Sequence, residues 1–183
     1  MMMFRPFFHR TACFIAAAVF CAGCARYQRG TISHPQIDSA AVGLFENKTE
    51  WPTLGTSLRS KVAEMVMTDG SLVLTGADTA DVVIRGKVVN VRFEQLISVK
   101  GDDNQLSDYQ AEYRGAVYRV TLDVVYEVIS PKLGNKVIIP ATKAVGQGTY
   151  PKTVDMGIGR DEATRQATAA AARQIVAAVT EAW

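Results

Sequence analysis

Apolar and polar residues alternate most regularly between residues 117 and 129. Val120, Leu122 and Val124 occupy one parity of this stretch, and Thr121 and Asp123 occupy the other. A period of two residues is typical of a β-strand with one buried face and one solvated face. We therefore predict a strand here, with Leu122 in the core and Thr121 in water.

Two segments follow the helical period instead. In the first, Leu54, Leu58 and Val62 recur every four residues, between a candidate N-cap at Thr53 and a stop at Gly70. The second helix is predicted over residues 161–183, where one stripe carries Ala163, Ala167, Ala171, Ile175 and Val179. Because alanine side chains are short, this stripe predicts a helix that packs closely on a sheet.

The other apolar runs predict strands at residues 37–45, 71–75, 81–99 and 136–149. Within 81–99, Val82 and Ile84 fall on one face, whereas Val89 and Val91 fall on the other. A bulge near Gly86 would reconcile them, since one extra residue inverts the side-chain parity.

The order of these elements indicates the fold class. A strand is followed by a helix, then by several strands, and a helix closes the chain. This order favours an α+β two-layer sandwich, with two helices packed on one face of a four- or five-stranded mixed sheet. Pro140 lacks a backbone N–H donor, so the last strand is predicted to lie at an edge of that sheet.

The N-terminus has the order of residue types found in a secreted precursor. Arg5 and Arg10 precede an apolar run over residues 11–20, which is shorter than the roughly 20 residues that a membrane-spanning helix needs. The run ends in Cys21-Ala22-Gly23-Cys24, similar to the lipobox of bacterial lipoproteins, although leucine is usual where Cys21 stands. We predict cleavage before Cys24 and acylation of its thiol; an ordinary anchor helix is the alternative.

This prediction divides the chain into three parts. Residues 1–23 form the signal peptide, residues 24–36 a polar tether next to the lipid, and residues 37–183 a single α+β domain. The size of the last part suits one hydrophobic core.

Composition then limits the chemistry of the mature chain. Its only cysteine is the acylated Cys24 and its only histidine is His34, so a histidine metal cluster and a His-assisted nucleophile are both excluded. Loss of Arg5 and Arg10 reduces the 20 Lys and Arg to 18, which equals the 18 Asp and Glu and argues against nucleic-acid binding. We expect no catalytic residue, no metal and no cofactor, and therefore no enzyme.

A short glycine motif precedes the second predicted helix. Gly157 and Gly159 flank Ile158 and could cradle a phosphate on free backbone donors. However, Asp161 and Glu162 place negative charge where the phosphate would lie. A capped helix start is the better interpretation.

Several segments resemble a known family. They are Ala41-Val42-Gly43-Leu44-Phe45-Glu46-Asn47-Lys48-Thr49, then Thr68-Asp69-Gly70, Ala80-Asp81-Val82-Val83-Ile84-Arg85-Gly86-Lys87-Val88 and Tyr118-Arg119-Val120-Thr121-Leu122-Asp123-Val124. Together they resemble the lipopolysaccharide-assembly lipoprotein (LptE) family. Residues 141–159 depart from the family, since they are rich in glycine where a bulkier strand is expected.

The resemblance implies a location and two partners. A member of this family would be a lipid-anchored protein on the periplasmic side of the outer membrane. It would lie inside a large β-barrel, LptD, as an accessory plug subunit and help lipopolysaccharide to reach the outer leaflet. An envelope lipoprotein that forms a secretion pore or regulates peptidoglycan synthesis remains the alternative.

Basic residues are the candidates for contact with lipopolysaccharide, whose lipid A carries phosphates. Lys132, Lys136 and Lys143 flank one turn and the strand after it, and lysine can bind phosphate through charge-assisted hydrogen bonds. They are also the charges that prevent edge strands from pairing with other chains. The polar segments 100–113 and 131–136 are the candidates for contact with a partner protein.

Acylation of Cys24 can be tested directly. Intact mass spectrometry of the membrane-extracted protein should show a chain that begins at Cys24 and carries additional acyl mass. Ala25 rather than aspartate follows Cys24, which in the enteric sorting rule implies export to the outer membrane. A Cys24→Ala variant should leave the membrane fraction; retention there would contradict the prediction.

Overall fold

The computed structural model describes residues 37–97, 117–152 and 155–181. In chain order the elements are β1 (Ser39–Asn47), α1 (Leu54–Asp69), β2 (Val73–Leu74), β3 (Val82–Ile97), β4 (Val117–Ser130), a 3-10 turn (Pro131–Leu133), β5 (Lys136–Pro151) and α2 (Met156–Thr180). Within these ranges no helix is both long enough and apolar enough to cross a bilayer. Cys24 and the predicted tether lie outside the described residues.

The five strands form one mixed sheet in the order β2-β1-β3-β4-β5. β1 pairs in parallel with β2 and β3, whereas β3, β4 and β5 are antiparallel neighbours. α1 packs on β1 and against α2, and α2 packs on β4 and β5, so both helices share one core with the sheet. The predicted α+β class with a mixed sheet is confirmed.

The core forms where the apolar parity of β4 meets the helices. Leu122, Val124 and Val128 of β4 are fully buried. They face the predicted stripe of α2 and the buried residues Leu58 and Val62 of α1, all within one hydrophobic cluster. Burying a leucine or valine side chain contributes about 1.5–3 kcal/mol, so this layer supplies much of the stability.

α2 lies unusually close to β5, because neither element carries a long side chain where they meet. A methyl group on Gly146 would overlap the backbone oxygen of Ala167, and one on Gly148 would overlap that of Ala163. Both alanines are completely buried. Gly146 and Gly148 lie in the glycine-rich segment 141–159, where a bulkier strand was expected, and they form the surface on which α2 packs. We call this contact the glycine seat of α2.

The polar parity of β4 is not solvated as predicted. Thr121 is only 4% exposed and Asp123 only 5% exposed, although both described helices pack on the other face of the sheet. β4 is a central strand, so long side chains from β3 and β5 lie over its polar residues. Alternation within one strand cannot reveal what its neighbours carry.

β3 contains the predicted change of parity, but at Val89 rather than near Gly86. Val88 pairs with Val124 and Asn90 pairs with Asp123, which leaves Val89 as the extra residue. Val89 is 44% exposed because a bulged residue has no place in either regular face. Opposite Gly86, the irregularity lies in β1, between Val42 and Phe45.

β5 is an edge strand, as Pro140 predicted. Its pairing with β4 shifts between the partners of Tyr126 and Val128, which are Thr142 and Ile139, so Pro140 lies in an irregular part of the ladder. Further along, the outward amide of Val145 donates to Oε1 of Gln174 on α2, at 2.8 Å. A side chain of α2 therefore satisfies one backbone donor at this edge of the sheet.

The stop of α1 is as predicted, whereas the cap of α1 and the start of α2 differ from the prediction. α1 stops at Gly70, whose φ of 73° places it in the left-handed region that glycine adopts freely. Thr53 precedes α1 but its side chain makes no capping hydrogen bond. α2 begins five residues before the predicted start, with Asp155 capping the amides of Gly157 and Ile158.

Asp81 joins the beginning of β1 to the turn after β4. Its Oδ2 accepts hydrogen bonds from the amide of Ser39 at 2.9 Å and the Ser39 hydroxyl at 2.7 Å. Its Oδ1 lies 2.6 Å from Nζ of Lys132. The hydrogen bond from Lys132, followed by that from Ser39, lowers the pKa of Asp81 to about 2.

The glycine seat of α2 gives a stability prediction. Gly148→Ala should destabilise the protein by about 1–3 kcal/mol in a denaturant melt, since the added methyl group meets backbone that cannot rotate away. Gly76→Ala is the matched control, because the space around Gly76 is open. Equal losses for the two variants would contradict the close packing described above.

Asp81 gives a prediction on acid stability. Its pKa is lower in the folded protein than in the unfolded chain, so its contribution is present above about pH 4 and is lost as the pH falls towards about 2. Because the group is partly solvated, we expect about 1 kcal/mol. Lys132→Met should weaken this pH dependence, whereas Lys136→Met should preserve it; the reverse would show that the ion pair does not stabilise the fold.

Candidate partner-binding face of the sheet

The face of the sheet opposite the helices carries paired charges rather than a second apolar layer. We call it the outer face and define it by the side chains that alternate with the core residues: Arg85, Lys87 and Arg92 of β3, Thr121, Asp123, Val125 and Glu127 of β4, and Lys143 of β5. In a strand, successive side chains point to opposite sides, so these residues share one surface. Lys143, a candidate from the sequence, lies on this face together with Arg85 and Lys87.

The centre of the outer face is a buried carboxylate between two cations. Nη1 of Arg92 donates to Oδ2 of Asp123 at 2.7 Å. Nζ of Lys143 lies 3.0 Å from Oδ1, within ion-pair distance but outside the directions of a hydrogen bond. The Asp123 side chain is 8% exposed, whereas those of Arg92 and Lys143 are 45% and 59% exposed. Two partly solvated cations therefore compensate one desolvated charge.

A second ion pair crosses the outer face towards the start of β3. Nε of Arg85 donates to Oε1 of Glu127 on the neighbouring strand, at 2.8 Å. Lys87 and Lys143 both pair with Val125, one from each side, so two lysines flank this valine. The outer face thus carries a row of long charged side chains across three strands, in which Arg85 is paired with Glu127, and Arg92 and Lys143 are both paired with Asp123.

Beside this row lies a groove of about 580 Å³. Its lining includes Val83, Val125 and Ile129, with Arg85 and Lys87 at the rim. Behind the groove, a Cβ on Gly86 would lie 2.5 Å from the Val125 carbonyl oxygen and 3.0 Å from Cε1 of the buried Phe45, so glycine allows the strands and Phe45 to pack closely here. The arrangement is a polar surface with a shallow apolar recess, suited to binding another macromolecule by packing and hydrogen bonds together.

The three lysines proposed for phosphate contact do not form one cluster. Lys132 is bound to Asp81 at the start of β1, and Lys143 is bound to Asp123 on the outer face. Lys136 pairs with Ser130, which has the core parity of β4, whereas Lys143 pairs with Val125, which has the outer parity. The two lysines therefore lie on opposite sides of the sheet. The carboxylate partners were missed because Asp81 and Asp123 lie far from these lysines in sequence. Among the described residues no group of three His, Cys, Asp or Glu side chains is placed to hold a metal ion.

Solved structures similar to this chain include PelC and several lipoproteins. A PelC dodecamer from Paraburkholderia phytofirmans matches with 20% identity and a TM-score of 0.44, over 84% of this chain and 95% of that one. A minor lipoprotein from Acinetobacter baumannii matches with 13% identity and a TM-score of 0.48, over 79% and 94%. Rare lipoprotein B from Shewanella oneidensis matches with 16% identity and a TM-score of 0.41, over 77% and 92%.

Comparison with curated protein sequences found no match. One family model does match, that of LptE, described as lipopolysaccharide-assembly, and it covers residues 37–179. The match begins two residues before β1 and ends one residue before the last residue of α2, so it includes every element of the fold. The resemblance seen in the sequence is confirmed: this chain belongs to the LptE lipopolysaccharide-assembly family.

Proposed function

We propose that this protein is an outer-membrane lipoprotein that acts as the accessory plug subunit of an LptD-like β-barrel and assists lipopolysaccharide assembly in the outer leaflet. The observation that carries the proposal is the family match over residues 37–179, which spans the whole described domain. In this proposal the protein works by binding and is not an enzyme.

The outer face supports a partner with a polar interior. The lumen of a membrane β-barrel is polar, whereas its lipid-facing surface is apolar. The Arg85–Glu127 and Arg92–Asp123 pairs present donors and acceptors that are already fixed in position. Fixed side chains lose little entropy when a complementary polar wall meets them.

The groove supplies the apolar part of the same contact. Leu44 at its edge is 70% exposed, and the floor is made of valine and isoleucine side chains. A protein interface combines such a recess with a polar rim. We propose that a side chain of the barrel wall occupies the recess.

The predicted lipid anchor supports the location. Cys24 and β1 are joined by the tether 24–36, whose 13 residues reach at most about 45 Å when fully extended. In this proposal the acylated Cys24 holds the domain at the periplasmic side of the outer membrane, within reach of a barrel in the same bilayer.

Direct contact with lipopolysaccharide belongs to the proposal as well. Lys132 and Lys143 would have to exchange a carboxylate for a lipid phosphate, whereas the ammonium group of Lys136 has no ion-pair partner among the described residues. Lys136 is therefore the member of the three that we expect to contribute most to phosphate binding.

Site-specific photo-crosslinking in living cells tests the partner. A photo-reactive residue at Lys87 or Leu44 on the outer face should form adducts with the β-barrel, because these side chains are exposed beside the groove. Met67 is the matched control: it is 61% exposed but lies near the end of α1, at the end of the domain where the tether enters. We expect far fewer barrel adducts from Met67.

Depletion of the protein tests the role independently of the contact. Assembled barrel and surface lipopolysaccharide should fall together, since the plug is required for both. Adducts from the outer face only with a second copy of this chain, or with a peptidoglycan synthase, would favour a secretion pore or a regulator of peptidoglycan synthesis instead.

A further inference from the structure

At the end of the sheet away from the tether, an arginine is held over two aromatic rings. Cζ of Arg160 lies 4.9 Å from the ring centroid of Trp51 and 5.6 Å from that of Phe93. The two rings are 5.3 Å apart with an interplanar angle of 34°. Trp51 precedes α1, Phe93 is on β3 and Arg160 is near the start of α2, so three separate segments meet here.

The guanidinium group of Arg160 has no carboxylate or carbonyl acceptor among the described residues. Arg85, Arg92 and Arg165, in contrast, are each paired with an acidic side chain. Cation–π contacts use the flat face of a guanidinium and leave its N–H groups at the edge. Arg160 thus presents a fixed set of donors without an acceptor within this part of the chain.

Exposed apolar side chains accompany this arginine. Phe93 is 37% exposed, and Met156, one helical turn before Arg160, is 40% exposed. Residues four apart in a helix lie on the same face, so Met156 and Arg160 are neighbours on the surface. Arginine, methionine and aromatic residues are enriched in protein interfaces, and tryptophan and arginine are enriched among the residues that dominate binding energy.

The position of this group indicates which partner reaches it. β1 enters the sheet beside Val82, whereas Phe93 lies eleven residues further along β3, roughly 35 Å away at about 3.3 Å per residue. Residue 37 leads directly into β1, so Trp51, Phe93, Met156 and Arg160 lie towards the end of the sheet away from the start of β1. In the proposed complex we assign this end to the barrel wall rather than to the bilayer.

The surrounding charges favour a single carboxylate over a polyphosphorylated lipid. Asp161 follows Arg160 directly, and Glu162 follows Asp161. Arg165 neutralises Glu162 through contacts at 3.0 and 2.5 Å, but Asp161 has no such ion pair among the described residues. Several phosphates would be repelled here, whereas one carboxylate suits the fork of one guanidinium.

We propose that Arg160, stacked on Trp51 and Phe93 beside Met156, binds an aspartate or glutamate side chain of the β-barrel partner. The inference rests on the proposed plug function and adds the chemistry of one contact. Stacking positions the guanidinium before binding, so little side-chain entropy is lost when the carboxylate arrives.

Three variants of the full-length lipoprotein test the contact in cells that contain the barrel. Arg160→Glu should lower the amount of barrel that co-purifies on the order of tenfold, as for loss of a dominant interface residue. Arg160→Lys should lower it less, since the charge remains but the planar fork is lost. Arg173→Glu is the matched control, because Arg173 is an exposed arginine of the same helix away from the rings, and it should co-purify as the wild type does. Melting curves of the purified variants verify that each one folds.

A photo-reactive residue at Met156 keeps the proposal testable if Arg160→Glu fails to fold. Adducts with the barrel support the inference, whereas adducts with lipopolysaccharide or phospholipid overturn it. A folded Arg160→Glu protein that co-purifies the barrel at the wild-type level also overturns it. If Lys87 and Leu44 capture the barrel but Met156 does not, this inference fails and the plug function stands; if none of the three captures it, both fail.

Discussion

The contact between α2 and β5 is the constraint on which the rest of this fold depends. Gly146 and Gly148 leave no side chain between the strand and the helix, and Ala163 and Ala167 complete a contact made largely by backbone. α2 lies over β4 and β5, and α1 lies beside it over β1. The same contact places the beginning of α2 at the end of the sheet where Arg160 lies over the rings of Trp51 and Phe93.

The described helices cover one face of the sheet, so the side chains on the two faces of β4 are buried in different ways. On the helix side, Leu122 and Val124 are buried by apolar packing. On the outer face, Asp123 is buried by the aliphatic stems and charged ends of Arg92 and Lys143. Long charged side chains can cover a surface in this way because their stems are apolar and their ends remain in water. The outer face is thereby polar to a partner and yet rigid.

Local periodicity predicted the helices and strands and the directions of their side chains, but it did not predict what adjacent strands place over them. The stripe from Ala163 to Val179 and the apolar parity of β4 both face the core, because a side chain's direction follows from its own helix or strand. Pro140 indicated an edge strand because it lacks the backbone N–H that a central strand would donate. The burial of Thr121 and the extra residue at Val89 depend on adjacent strands, which a window of local sequence does not contain. The start of α2 at Met156 depends on the cap by Asp155, a signal that is local in the sequence. The candidate site was predicted in part: Lys143 was named, but Asp123 and Arg160 gained their roles only through contacts distant in sequence.

The edge of β5 has a consequence for the protein while it is alone. An open strand edge is a template for strand exchange between copies. Here Gln174 already occupies the Val145 amide, and Pro140 interrupts the ladder nearer the turn. A second chain would have to displace the Gln174 side chain from the Val145 amide before it could add a strand along this segment. Because Gln174 is held in place by α2, the packing of this helix on Gly146 and Gly148 also protects the strand edge from pairing with another copy.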